Sequence, residues 1–231
     1  MKFKNQKFFL ALTVALLLPF SFYIIAKVMK KDQLAMPGYY NPEKIDTTVH
    51  NGKLSFDTTF HVVRDLVLQN QSGDIVSLNE DLKGKMILVE VFFTNCGTIC
   101  PQLTNNISYF LHRAFKKNDT TVHFVSISID PEHDSVSVLK SYSEKYKANP
   151  DHWWFLTGDR KLIYNYLHHE LKLMVKPSDN GAEELDHTPT LVLIDKNRFI
   201  RGYYNGLDTV ALKQCADDIG LISMQKKHKK K

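Results

Sequence analysis

Cysteine is scarce in this chain of 231 residues: there are three, too few to staple a fold together with disulfides. Internal repeats are absent, and acidic residues are missing from both ends. No Asp or Glu accompanies Lys2, Lys4, Lys7, Lys27, Lys30 and Lys31 in residues 1–31, or the five lysines of 226–231. Setting those eleven lysines aside leaves 19 basic against 25 acidic residues between Asp32 and Gln225, although the whole chain is formally +5. The body is therefore acidic, which excludes the broad basic surface that nucleic acid requires. No nucleic-acid partner is expected. With 43% hydrophobic residues the chain can bury a core, so wholesale disorder is excluded. The length fits one domain with appendages.

Charge is absent again over Phe8–Ala26, FFLALTVALLLPFSFYIIA, 19 residues that match the thickness of a bilayer core. The stretch has no polar face, no A-x-A cleavage pattern and no nearby cysteine to accept a lipid, so it reads as an uncleaved transmembrane anchor helix. Membrane helices tolerate a proline such as Pro19. Lysines flank both ends, and Lys2, Lys4, Lys7 and the α-amino group favour a cytoplasmic N-terminus. The rest is then expected outside, where disulfides are permitted. The expected organisation is an anchor (1–31), a tether (32–55), a folded domain (56–225) and a lysine-rich tail (226–231). The tether lacks apolar periodicity and contains Pro37, Gly38 and Pro42.

Within the domain, His61–Gln69, the turn Gln71–Asp74 and Ile75–Leu78 predict a hairpin. Met86–Phe93, MILVEVFF, predicts a strand buried on both faces. A helix is predicted from about Pro101, with Leu103, Ile107, Phe110, Leu111, Ala114 and Phe115 on its buried side. The pattern continues with a strand at Val122–Ile129, a helix at Val136–Lys147 capped by Ser135, and a strand at His152–Leu156. A helix follows at Arg160–His169, capped by Asp159, then a polar loop at 176–186. A hairpin at Thr190–Ile194 and Phe199–Tyr204 and a helix at Asp208–Leu221 complete the domain. Alternating strands and helices that end in a hairpin and a helix give an α/β domain compatible with a thioredoxin-like fold.

The chemistry-bearing residues are Cys96 and Cys100, in Phe93-Thr94-Asn95-Cys96-Gly97-Thr98-Ile99-Cys100-Pro101. Thiols four apart share one face of a helical turn, close enough for a disulfide or one shared metal ion. A helix start favours the thiolate, the form needed for soft metals and for thiol–disulfide exchange. Two core cysteines or a structural disulfide are the plain alternative. Of the ten histidines, His112, His168 and His169 are expected to be solvated, and His123 to be a satisfied core residue. His187, in Asp186-His187-Thr188-Pro189-Thr190, precedes an apolar strand and is the candidate third ligand. Asp130 is either a weak ligand or the turn residue before Pro131. Cys215 is expected to pack a helix face, and Trp153 and Trp154 to fill the two sides of a sheet.

These residues together resemble the Sco/SenC copper proteins. Phe93–Pro101 is similar to that family's F-T-x-C-x-x-x-C-P signature, and Ser128-Ile129-Asp130-Pro131-Glu132-His133-Asp134 to its S-x-D-P-x-x-D segment. Leu139–Tyr142, Thr157-Gly158-Asp159, Asp186-His187-Thr188 and Leu193-Ile194-Asp195 follow in the family's order. The resemblance covers about residues 56–221. It implies a thioredoxin-like domain that binds copper, Cu(I) or Cu(II), through Cys96, Cys100 and His187. As a metallochaperone it would assist assembly of the Cu(A) centre of cytochrome c oxidase. The implied partners are an upstream copper donor and the oxidase subunit carrying Cu(A), or another copper acceptor. The implied location is the cell's inner (cytoplasmic) membrane, single-pass, with the soluble domain on the periplasmic side. Two thiolates and an imidazole suit Cu(I), with zinc the main competitor. Pro189 resembles the proline that packs against the redox cysteines of thioredoxins. It keeps open a thiol–disulfide oxidoreductase in which Cys96 attacks and Cys100 resolves.

Overall fold

In a computed structural model of the chain, the described residues are 3–31, 36–50, 53–112, 115, 121–174 and 189–225. The lysine tail lies outside them. The chain divides into two compact units, Met1–Met36 and Pro37–Lys231. The first holds helix α1, Phe3–Lys31, with Pro19 inside it. Its side chains are described without a break only from 12 to 25, all of them exposed. Among the described residues no helix is long and apolar enough to cross a membrane.

The second unit opens where a tether was expected. Residues 42–50 and 53–55 belong instead to an antiparallel ribbon of β1 (Pro42–His50) and β2 (Lys53–Phe60). Its register pairs Ile45 with Thr58, Thr47 with Phe56 and Val49 with Leu54. The signal was a two-residue alternation rich in β-branched side chains, hidden because Pro42, at the first position of a strand, was read as a breaker. The residues just before the ribbon are also held. Arg201 donates to the carbonyls of Pro37 and Gly38 at 2.6 and 2.9 Å and lies over the Tyr39 ring.

The remaining strands form one seven-stranded sheet. They are β3 (Val67–Asn70), β4 (Ile75–Ser77), β5 (Met86–Phe92), β6 (Val122–Ser128), β7 (Trp153–Thr157), β8 (Thr190–Ile194) and β9 (Ile200–Asn205), in the order β4-β3-β7-β6-β5-β8-β9. β5, β6 and β7 run parallel, while β3 and β8 flank them antiparallel. Every residue of β5 and β6 is buried, as a continuous apolar run in a doubly covered sheet requires. Helices α2 (Ile99–Asn106), α3 (Val136–Lys145), α4 (Arg160–His169) and α5 (Thr209–Met224) complete the fold. The Asp159 and Asp208 side chains accept from Leu162 and Val210 N–H and cap α4 and α5. Ser135 stands at the cap position of α3 but its side chain makes no capping bond.

One helix departs from expectation. After Asn106, α2 continues as a wider π-helical turn, Ile107–His112. The extra residue per turn shifts the buried stripe. Phe110 is exposed as a result, and His112, expected in solvent, is buried with its ring edge-on to Phe124 and tilted against Trp153. His123 is buried against Trp154 as expected, but neither ring nitrogen has a hydrogen-bond partner among the described residues. Burial lowers its pKa to about 3 and keeps the ring neutral. Cys215 packs in the core on α5.

α2 is held in place by the β9–α5 turn. Gly206 donates its N–H to the Pro189 carbonyl at 2.7 Å and accepts from the Asn106 side chain at 2.9 Å. A Cβ on Gly206 would lie 2.1 Å from Leu103 Cδ1, which is itself buried on α2. Gly206→Ala is therefore expected to cost about 1–3 kcal/mol by overpacking. Denaturant unfolding checks this, and an unchanged midpoint would contradict the close approach.

Candidate metal centre

β5 ends at Phe92, and the chain turns through residues 93–98 into α2, placing Cys96 in the loop and Cys100 in the first helical turn. The parallel strands deliver this loop to the carboxyl edge of the sheet, where open α/β sheets bind ligands. All three cysteines are unbridged and buried, Cys100 completely and Cys96 with 6% exposed. The Cys100 backbone N–H, free at the helix start, donates to Cys96 Sγ at 3.3 Å. The Cys100 thiol also hydrogen-bonds Cys96.

The expected thiolate does not hold for Cys100. Burial pushes its thiol well above the ordinary range, a Phe93 backbone hydrogen bond opposes this, and Cys96 and Glu90 add to it. Desolvating a fully enclosed anion costs more than the partial charge of one helix end returns. Without metal, Cys100 therefore keeps its proton at neutral pH.

Glu90 on β5 was missed in the sequence, although it is the one charge in an otherwise apolar run. Its Oε1 accepts from Ser126, its register partner on β6, whose hydroxyl in turn accepts from Trp153 Nε1–H at 2.7 Å. Thr104 of α2 also hydrogen-bonds Glu90, and its hydroxyl lies 3.3 Å from that of Tyr142 on α3. Glu90 Oε2 has no partner among the described residues. Burial raises the carboxyl to about 8 against the pull of Ser126 and Thr104, so it is protonated at neutral pH.

The neighbouring loop leaves β6. Its Asp134 is completely buried and accepts from Thr94 N–H at 3.2 Å, from the Thr94 hydroxyl and from the Ser128 hydroxyl. Asp130 takes the turn role: its carbonyl accepts from His133 and Asp134 N–H, and its carboxylate holds His133 Nδ1 at 2.9 Å. That hydrogen bond and the Asp130 charge raise the His133 pKa.

The described residues contain no group of three or more His, Cys, Asp or Glu side chains placed to hold a metal. His187, the expected third ligand, lies in 175–188, outside them. β8 runs antiparallel to β5, pairing Val192 with Val89 and Leu193 with Leu88. Its first residue, Thr190, therefore stands at the sheet edge from which the cysteine loop leaves.

Comparison with known proteins gives one consistent family. The SCO1/SenC family model matches residues 56–219. The SCO1 protein homolog of Bacillus subtilis (strain 168) is 32% identical over 171 residues, covering 74% of this chain and 87% of that protein. A solved structure of BsSco, described as carrying a disulfide switch and as a member of the Sco family of cytochrome c oxidase assembly proteins, is 31% identical. Its TM-score is 0.63, with 72% of this chain and 95% of that one covered. Bradyrhizobium japonicum ScoI, solved with copper bound, is 28% identical with a TM-score of 0.57, covering 70% of this chain and 99% of that one.

The Glu90 carboxyl ties stability to pH. Its folded pKa is about 8, against 4.5 ordinarily, so between those values only the folded state holds the proton. Stability from this group is complete below about 4.5, falls as pH rises toward 8, and is then level. Glu90→Gln has no proton to lose and is expected to gain on the wild type between pH 5 and pH 8. Denaturant unfolding at both pH values measures this, and a pH-independent difference would contradict a protonated Glu90.

Proposed function

The chain belongs to the SCO1/SenC family, and on that premise we propose that it carries copper between Cys96 and Cys100, with His187 as third ligand. It delivers the ion to a copper acceptor during cytochrome c oxidase assembly. The observation that supports this most directly is the pair of buried, unbridged thiols hydrogen-bonded to one another at the carboxyl edge of the sheet. Two soft sulfur donors and a neutral imidazole favour Cu(I) over hard cations. Loading copper displaces the Cys100 proton, so apparent affinity rises with pH through the neutral range. The enclosure that keeps Cys100 protonated also excludes water from the loaded site. A site with three protein ligands leaves the ion open to a ligand from the acceptor, which suits transfer.

In the same reading, residues 8–26 anchor the chain in the inner membrane and the domain faces the periplasm. The acceptor is the oxidase subunit carrying Cu(A), and an upstream protein donates the copper.

A second reading rests on the same pair. The more exposed Cys96 thiolate attacks a target disulfide and releases one target thiolate. Cys100 then attacks the mixed disulfide, releases the second target thiolate and leaves Cys96 and Cys100 bridged. Two electrons pass to the target, whose reduced cysteines then accept copper. BsSco's disulfide switch makes this a companion of copper delivery more than a rival.

Metal titration of the reduced protein separates the readings. About one copper per chain is expected, lost when Cys96 and Cys100 are both changed to serine. Full copper retention in that double variant would falsify the assignment. His187→Ala is expected to change the visible charge-transfer bands of the Cu(II) form, and unchanged spectra would remove the histidine from the site. Removal of residues 1–31 is expected to move the protein from the membrane fraction to the soluble fraction; retention in the membrane would contradict the anchor.

A further inference from the structure

We propose that Asp134 is a positioning residue for the copper site: it clamps Thr94 and so fixes the loop that presents Cys96. The inference rests on the copper-binding reading above and adds to it a residue that sets how long the cargo is held.

Asp134 accepts from both donors of Thr94, the backbone N–H and the hydroxyl, and from the hydroxyl of Ser128 at the end of β6. Holding the main chain and the side chain of one residue together fixes the backbone two positions before Cys96. Cys96 N–H donates to the Phe93 carbonyl and Cys100 N–H to Cys96 Sγ, each at 3.3 Å, but both bonds stay within the loop and the start of α2. Asp134 therefore ties the cysteine loop to the end of β6 through three donors.

The chemistry is costly for mere packing. The carboxyl is completely buried, and its described partners are neutral hydroxyls and N–H groups without a cation. Burying an acid this way is unfavourable unless each oxygen accepts a bond. A carboxylate can accept all three donors, whereas an amide offers one acceptor oxygen, and its N–H₂ at the other position would force a hydroxyl to turn its proton elsewhere. The far end of the clamp is itself fixed, since Ser128 Oγ also accepts from Asp130 N–H at 3.1 Å and Asp134 N–H donates to the Asp130 carbonyl at 2.9 Å. Strand β6 and its turn form the rigid side, and the cysteine loop is the side being held.

The test uses the full chain, reduced and loaded with one Cu(I), and follows copper release to a chelator by stopped flow, with a thermal melt alongside. Asp134→Asn and Thr94→Val are each expected to speed release about 10–100-fold, the usual effect of losing a group that orients a ligand. Thr94→Ser, which keeps the hydroxyl, is expected to release copper within about threefold of wild type. Leu82→Ala, a core truncation before the far end of β5 and outside the clamp, is expected to lower the melting temperature while leaving release near the wild-type rate. Wild-type release rates in Asp134→Asn and Thr94→Val overturn the proposal. So does Leu82→Ala speeding release as much as Asp134→Asn, which would make the effect one of general stability. If Asp134→Asn fails to fold, Thr94→Val, a change of one hydroxyl to methyl, decides alone. A wild-type chain that takes up no copper overturns the copper reading itself, an outcome distinct from any difference among variants.

Discussion

The parallel pairing of β5 with β6 is the constraint on which the rest depends. Seven residues of each strand align, from Met86 with Val122 to Phe92 with Ser128, and all fourteen are buried. Because the strands end together, the loops that leave them must lie side by side. One carries Cys96 into α2, and the other carries Asp130 and Asp134. The same register sets Glu90 opposite Ser126 and makes their hydrogen bond possible. Antiparallel β8 then brings Thr190 to this edge from the opposite direction.

Around the cysteines the interior is polar but short of charge. Burial raises Glu90, Cys100 and Asp134 alike, each against hydrogen bonds or dipoles that pull the other way. No described cation is paired with them among the ion pairs of this region, where His133 meets Asp130 and Arg160 meets Glu132. An enclosure of this kind disfavours a bare thiolate and favours one whose charge is neutralised by a bound cation. Cys100 thus keeps its proton in the metal-free chain, and on the proposed reading copper takes that proton's place. Affinity and proton release are two sides of one equilibrium.

Much of the fold was legible in the sequence because each element carried its own local signal. MILVEVFF carried the pattern of a doubly buried strand, and Asp159 announced its helix as a cap. The β1–β2 ribbon was missed because its apolar residues face solvent and its first residue is proline. His112 was misplaced because a π-helical turn shifts the buried face by a residue, which no helical spacing foretells. At the site, Cys96 and Cys100 were visible from their spacing, whereas Glu90 was not, and Asp134 stood out only as the last residue of a resembling segment, without a role. Their importance comes from pairing across strands, with partners 36 and 40 residues away in the chain. The protonated state of Cys100 was also out of reach, since it depends on complete enclosure and only secondarily on the helix start.

The central claim, that the two cysteines hold copper directly, is tested most directly by X-ray absorption at the copper edge of the reduced, copper-loaded chain. The account predicts two sulfur scatterers and one imidazole nitrogen around a single Cu(I), with the sulfur shell lost in the Cys96→Ser, Cys100→Ser variant. A copper shell made only of nitrogen and oxygen in the wild-type protein would contradict it.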